Sequence, residues 1–138
     1  MARTTFPVEV LTPEGEIFND QVEMIATKTV EGSIGILANH QPLLAMLDPA
    51  ELRLYRSEGD VVRLAQGEGY LQVAGDGGVL ILVQDAIAPE QLDSSDLSEK
   101  LRAAEEAYAR AEEHSEEQRL AARNKRRWEA FQRIAGGS

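Results

Sequence analysis

The chain has 138 residues, 43% of them apolar, and carries 24 acidic against 14 basic side chains for a net charge of −10. That apolar content supports a packed core, and that acidity argues against nucleic acid as a partner. The absence of cysteine excludes disulfide scaffolds, thiolate metal sites and cysteine nucleophiles.

The first ~90 residues read as β-structure. Pro7–Thr12 alternates and stops at Pro13-Glu14-Gly15; Val22–Val30 alternates in part and stops at Glu31-Gly32. Glu51–Arg56, Val61–Ala65 and Tyr70–Val73 follow, separated by glycine-bearing turns. Val79–Val83 is a continuous apolar run, the pattern of a strand buried on both faces. Short strands with turn signals every 8–12 residues predict an antiparallel β-sandwich or barrel. Between them, Glu31–Leu47 mixes glycines with apolar residues in a loop-like stretch. It either packs inside the sandwich or presents its tip to a partner; both hold if Leu43, Leu44 and Leu47 anchor while Ser33 and His40 face outward.

The period changes after Pro89. Leu97, Leu101, Ala104, Tyr108 and Ala111 are spaced 4, 3, 4, 3, one face of an α-helix, with Asp96 as its expected N-cap and Glu99 completing a capping box. The pattern resets at His114-Ser115. Ser115 is the expected cap of a second helix carrying Leu120, Asn124, Trp128, Phe131 and Ala135, which Gly136-Gly137 ends. The expected organisation is α+β in sequence order: a β-sandwich over 1–88, a linker over 89–95 and a helical hairpin within 96–138, with helices near 96–113 and 116–134. The hairpin has few large apolar groups, so it is expected to need a docking surface.

The charge is uneven. Residues 1–90 are net −9, residues 91–117 net −6 and residues 118–138 net +5. The positive charge of the last segment comes from Arg119, Arg123, Lys125, Arg126, Arg127 and Arg133, and such asymmetry marks a partner-binding segment.

Catalytic constellations are missing from the pattern. His40 and His114 are isolated, Gly67-Glu68-Gly69 lacks the third glycine and the helix of a dinucleotide loop, and Gly32-Ser33-Ile34-Gly35 has the wrong spacing for a nucleophile elbow. The acids lack calcium-loop or zinc spacing, so no metal site is expected. Residues 1–10 lack a signal-type apolar block, and Val79–Val83 is far short of the ~18 residues a spanning helix needs, so no direct membrane insertion is expected.

The stretch from Glu31 to Leu44, with Gly32, Gly35, His40, Pro42 and Leu43, resembles the Gly-x-x-Gly-x-x-x-x-His-x-Pro-Leu pattern of the epsilon subunits of bacterial F-type ATP synthase, called delta in mitochondria. Val10–Gly15, Gly67–Val73 and Val79–Val83 also resemble that family's strands, and the likeness covers essentially the whole length. The resemblance implies a non-catalytic central-stalk rotor subunit, peripheral on the cytoplasmic face of the bacterial plasma membrane. Its sandwich would bind the gamma subunit and rest on the c-ring, with Glu31, Ser33, Ile34, His40, Pro42 and Leu43 as the contact residues. Its helical hairpin would fold down or extend along gamma, and the extended form would restrain ATP hydrolysis by the alpha/beta hexamer. Arg119, Arg123, Arg126, Arg127 and Arg133 would then meet acidic segments of the beta subunits.

Some members hold regulatory ATP with an Ile/Leu-Asp-x-x-Arg-Ala motif at the first helix. Here Ser98-Glu99-Lys100-Leu101-Arg102-Ala103 keeps Arg102 and Ala103 but replaces the acid by Glu99 and the apolar residue by Ser98. Glu99 and Arg102 are the corresponding ATP-sensing residues, and the two departures weigh against their use; no cofactor is otherwise required. The alternative reading is a free-standing ligand-binding β-sandwich with a helical oligomerisation tail.

Overall fold

The computed structural model describes residues 3–136. The chain divides into two compact units, Met1–Ala88 and Pro89–Ser138.

The first unit has ten strands: β1 (Phe6–Thr12), β2 (Gly15–Val22), β3 (Met24–Thr29), β4 (Gly32–Leu37), β5 (Leu43–Leu47), β6 (Ala50–Ser57), β7 (Asp60–Gln66), β8 (Gly69–Val73), β9 (Val79–Val83) and β10 (Ala86–Ile87). They form one hydrogen-bonded path in the order β10-β7-β6-β3-β5-β8-β9-β1-β2, with β4 added on β3. The path folds over as a sandwich around Val8, Val10, Ile25, Ile36, Leu52, Leu54, Leu71 and Ile81, each 0–1% exposed. The pairing is antiparallel except between β1 and β9, where Val8 to Leu11 run parallel to Val79 to Leu82.

The predicted strands are present, and four more, β2, β4, β5 and β10, lie where the sequence shows weaker alternation. β2 carries only one buried residue, Val22. The segment expected to be loop-like folds as β4 and β5. Leu43 is half-buried against the core and Leu47 is buried, but Leu44 is 69% exposed and does not anchor. Val79–Val83 is not buried on both faces: Val79, Ile81 and Val83 point inward, whereas Leu82 is 44% exposed. Alternation survives in both strands, and apolar residues on the outer face conceal it in the sequence.

The second unit opens with a 3-10 turn, Pro89–Gln91, followed by α1 (Ser94–Arg110) and α2 (Glu116–Ala135). Asp93, not Asp96, caps α1: its carboxylate accepts from the backbone N–H groups of Ser95 at 2.9 Å and Asp96 at 3.4 Å. Asp96 instead sits in the first turn, where an acid favours the helix dipole, and pairs with Lys100 at 3.2 Å. The helix ends at Arg110 rather than 113, because Ala111 is extended and His114 is left-handed at φ 65°. Glu112 and Glu113 would also oppose the dipole at a helix C-terminus.

Ser115 caps α2, accepting from the N–H of Gln118 at 3.1 Å, while the Gln118 side chain accepts from the N–H of His114 at 2.9 Å. Gly136 ends the helix at φ −71° rather than in a left-handed turn; Gly137 lies outside the described residues. The buried helical residues are Leu97, Ala104, Ala121, Ala130, Phe131 and Ile134. Tyr108 and Leu120, expected on the buried stripes, are 45% and 53% exposed. The small Ala104 and Ala121 are buried and line the groove between the two helices.

Candidate docking surfaces

The outer face of β5, β8 and β9 is apolar. Strand register places Leu44 beside Gln72 and Gln72 beside Leu80, and in the next row Met46 beside Tyr70 and Tyr70 beside Leu82. Leu44, Met46, Tyr70 and Leu82 are 69%, 55%, 50% and 44% exposed. Together with Gln72 and Leu80, Leu44, Tyr70 and Leu82 line a shallow hollow of about 280 Å³. The face continues toward the β3–β4 turn, where the N–H of Val30 donates to the carbonyl of Met46 at 3.0 Å and Val30 is itself exposed. Contiguous exposed apolar surface of this kind marks an interaction site rather than ordinary solvent-facing sheet.

The residues singled out in Glu31–Leu43 do not form one cluster. Glu31 is exposed in the β3–β4 turn beside Val30, and Ser33 is exposed at the start of β4. Ile34 and Leu43 are half-buried against the core. His40 and Pro42 lie beyond the other end of β4, in the β4–β5 loop, where Asn39 is left-handed at φ 66° and His40 Nδ1 is 2.8 Å from the carbonyl oxygen of Gln41. The Glu31 end borders the apolar face through Val30, and the β4–β5 loop runs into it through Leu43 and Leu44. Sequence reasoning missed Val30, Met46, Tyr70 and Leu82. The signal was a second, outward-facing set of apolar residues in Leu43–Leu47 and Val79–Val83.

In the helical unit, Trp128 ties the two helices. Lys100 Nζ stands 4.8 Å from its ring centroid, Arg127 lies 5.1 Å away, and Phe131 meets it edge-on at 5.9 Å. Gln132 Nε2 donates to Ser98 Oγ at 3.1 Å. A groove of about 510 Å³, rich in alanine, runs between α1 and α2 beside this contact. Glu99 and Arg102 are exposed and are not among its lining residues. Arg119, Arg123, Arg126 and Arg133 recur at 4, 3 and 7 along one exposed stripe of α2, while Arg127 is half-buried over Trp128.

Among the described residues, no three His, Cys, Asp or Glu side chains are grouped to hold a metal ion, and no helix is long and apolar enough to cross a membrane.

Residues 5–89 match the family model described as ATP synthase, Delta/Epsilon chain, beta-sandwich domain. The ATP synthase epsilon chain of Persephonella marina is 38% identical over 78% of this chain and 76% of its own length. That of Syntrophomonas wolfei is 36% identical over 85% of this chain and 82% of its own. Among solved structures, a chain of the Euglena gracilis mitochondrial ATP synthase superposes with a TM-score of 0.78 at 21% identity, over 94% of this chain and 80% of that one. The fold is that of the mitochondrial chain, and by the family match and these relatives the chain belongs to the ATP synthase delta/epsilon family.

Proposed function

We propose that this chain is the central-stalk epsilon subunit of a proton-translocating F-type ATP synthase, peripheral on the cytoplasmic side of the membrane and without an active site of its own. Its β-sandwich docks on the gamma subunit and c-ring, so that ring rotation drives ATP synthesis on the alpha/beta hexamer. Its two helices restrain ATP hydrolysis. The observation that carries this reading is the exposed apolar face of β5, β8 and β9, continuous with the Val30–Glu31 turn. A water-exposed face of this composition gains by burial against a partner, at about 25 cal/mol per Å² of apolar area removed from water. The exposed Glu31 in the turn beside it supplies a polar rim for the ring.

The test is co-purification with a gamma subunit. The parent chain is expected to bind one to one. Leu44→Glu with Tyr70→Glu should abolish binding while the sandwich unfolds at an unchanged temperature, since both side chains are solvent-facing. A stable chain that never binds gamma, or that self-assembles instead, would favour the free-standing ligand-binding sandwich.

A further inference from the structure

The five basic residues of residues 1–90 are Arg3, Lys28, Arg53, Arg56 and Arg63. None lies on β1, β2, β4, β5, β8, β9 or β10. Lys28 is exposed on β3, Arg53 on β6 and Arg63 on β7, all three alternating outward from buried neighbours such as Thr27, Leu52 and Leu64. Arg3 reaches the same face, its guanidinium 3.8 Å from the sulfur of Met24 on β3. Arg56, at the edge, is neutralised between Asp60 at 3.0 Å and Asp20 at 3.6 Å. Residues 1–90, net −9, thus gather their positive charge on one outer sheet face.

The centre of that face is unusual. Arg53 and Arg63 stand directly opposite each other on paired strands, a like-charge pairing that destabilises a sheet. One carboxylate holds both: Glu51, 14% exposed, meets Arg53 Nε at 2.5 Å and Arg63 Nη2 at 3.0 Å. Two guanidinium groups share this one acid and remain 45% and 49% exposed, so one positive charge and several N–H donors still face solvent. Because Glu51 is anchored beneath them, the two forks are held for a second carboxylate without the usual loss of side-chain freedom.

We propose that the outer face of β3, β6 and β7 docks an acidic segment of a protein partner, with Arg53 and Arg63 as the paired carboxylate receptor and Lys28 as a flanking cation. The occupant is a carboxylate-bearing polypeptide because a carboxylate is what the arginine pair already holds. An open pleated surface also suits a chain lying along it. This face is separate from the apolar face of β5, β8 and β9, and its occupation does not depend on gamma docking there.

The probe is a synthetic oligoglutamate peptide added to the isotope-labelled full chain, followed by amide chemical shifts at low salt. Saturable shifts at Lys28, Arg53 and Arg63 are expected, lost near 0.5 M salt. Arg53→Gln with Arg63→Gln should weaken binding about tenfold, while Glu51→Gln, which frees both guanidinium groups, should tighten it severalfold. Thermal unfolding confirms that each variant is folded. A purely structural ion cluster predicts no binding and no gain in Glu51→Gln. That result would overturn the proposal, as would shifts with inorganic phosphate or phosphatidylglycerol vesicles but not with the peptide. Equal peptide affinity in the double arginine variant, or self-association of the free chain through this face in sedimentation, would also overturn it.

Discussion

Gly69 on β8 stands so close to β9 that a Cβ at this position would lie 1.9 Å from the carbonyl oxygen of Leu82. The next nearest atoms, Val83 Cα at 2.7 Å and Leu82 C at 2.8 Å, are also backbone, so no side-chain rotation relieves the clash. β8 and β9 carry the apolar face, and glycine here sets how closely they approach. Gly69→Ala should lower stability by about 3 kcal/mol, read by denaturant unfolding. Gly75→Ala, with open space around the added methyl, should fall within about 1 kcal/mol of the parent.

Gln66 is fully buried at the end of β7. Its Oε1 accepts from the Thr27 hydroxyl at 2.8 Å, and its Nε2 donates to the carbonyl of Asp48 at 2.8 Å. One amide thereby joins β3, β7 and the turn before β6. Gln66→Leu strands the Thr27 hydroxyl and the Asp48 carbonyl in the interior and should cost about 2 kcal/mol. Adding Thr27→Val should recover part of that loss, so the two changes are expected to be non-additive in a double-mutant cycle.

Burial pushes the Glu51 carboxyl up, but the hydrogen bonds and charges of Arg53 and Arg63 outweigh it and hold the group below its ordinary value of 4.5. A carboxylate with a lowered folded-state pKa stabilises the fold above its unfolded pKa and loses that contribution as pH falls through the folded value. Unfolding free energies of the parent and Glu51→Gln should therefore differ by about 1 kcal/mol near neutrality, a modest value because both arginines are half exposed. The gap should begin to close as pH drops below 4.5 and should vanish below the lowered pKa. A pH-independent gap would mean that packing, not the ion cluster, accounts for it.

Much of the fold was legible because its cues are local. Strict alternation in Glu51–Arg56 puts Leu52 and Leu54 inside, and Ser115 with Gln118 marks the start of α2. The misread segments share one cause. In β5 and β9 the outer face is as apolar as the inner, so period-2 alternation disappears from the sequence while persisting in space. The same property hid Met46, Tyr70 and Leu82, since their significance depends on β5 pairing with β8, 22 to 30 residues away, and β8 with β9. The arginine pair was invisible for a similar reason: Arg53 and Arg63 are ten residues apart and meet only through the β6–β7 register.

The helical unit buries Leu97, Phe131 and Ile134 but otherwise only alanines. Its helices are joined by the Lys100–Trp128 contact and the Gln132–Ser98 hydrogen bond, both with exposed components. Few buried apolar groups mean a low free energy of local opening. Amide hydrogen exchange on the isolated chain should show α1 and α2 exchanging at least about tenfold faster than β3, β6 and β8. Protection in the helices equal to that of these strands would show that the hairpin needs no further docking surface.

On the proposed function, the basic stripe of α2 has a kinetic consequence. Arg119, Arg123, Arg126 and Arg133 share one exposed helix face, while Arg127 is committed to Trp128. Interfacial charge pairs between such a stripe and an acidic partner surface govern both approach and retention. Reversing Arg123 and Arg126 to Glu should relieve the restraint on ATP hydrolysis in the reconstituted enzyme, raising its rate severalfold at low salt, with a smaller rise at high salt. Arg127→Glu should act differently, loosening the hairpin itself and lowering its exchange protection. If the stripe variant leaves hydrolysis unchanged while gamma binding is intact, the basic face of α2 plays no part in restraint.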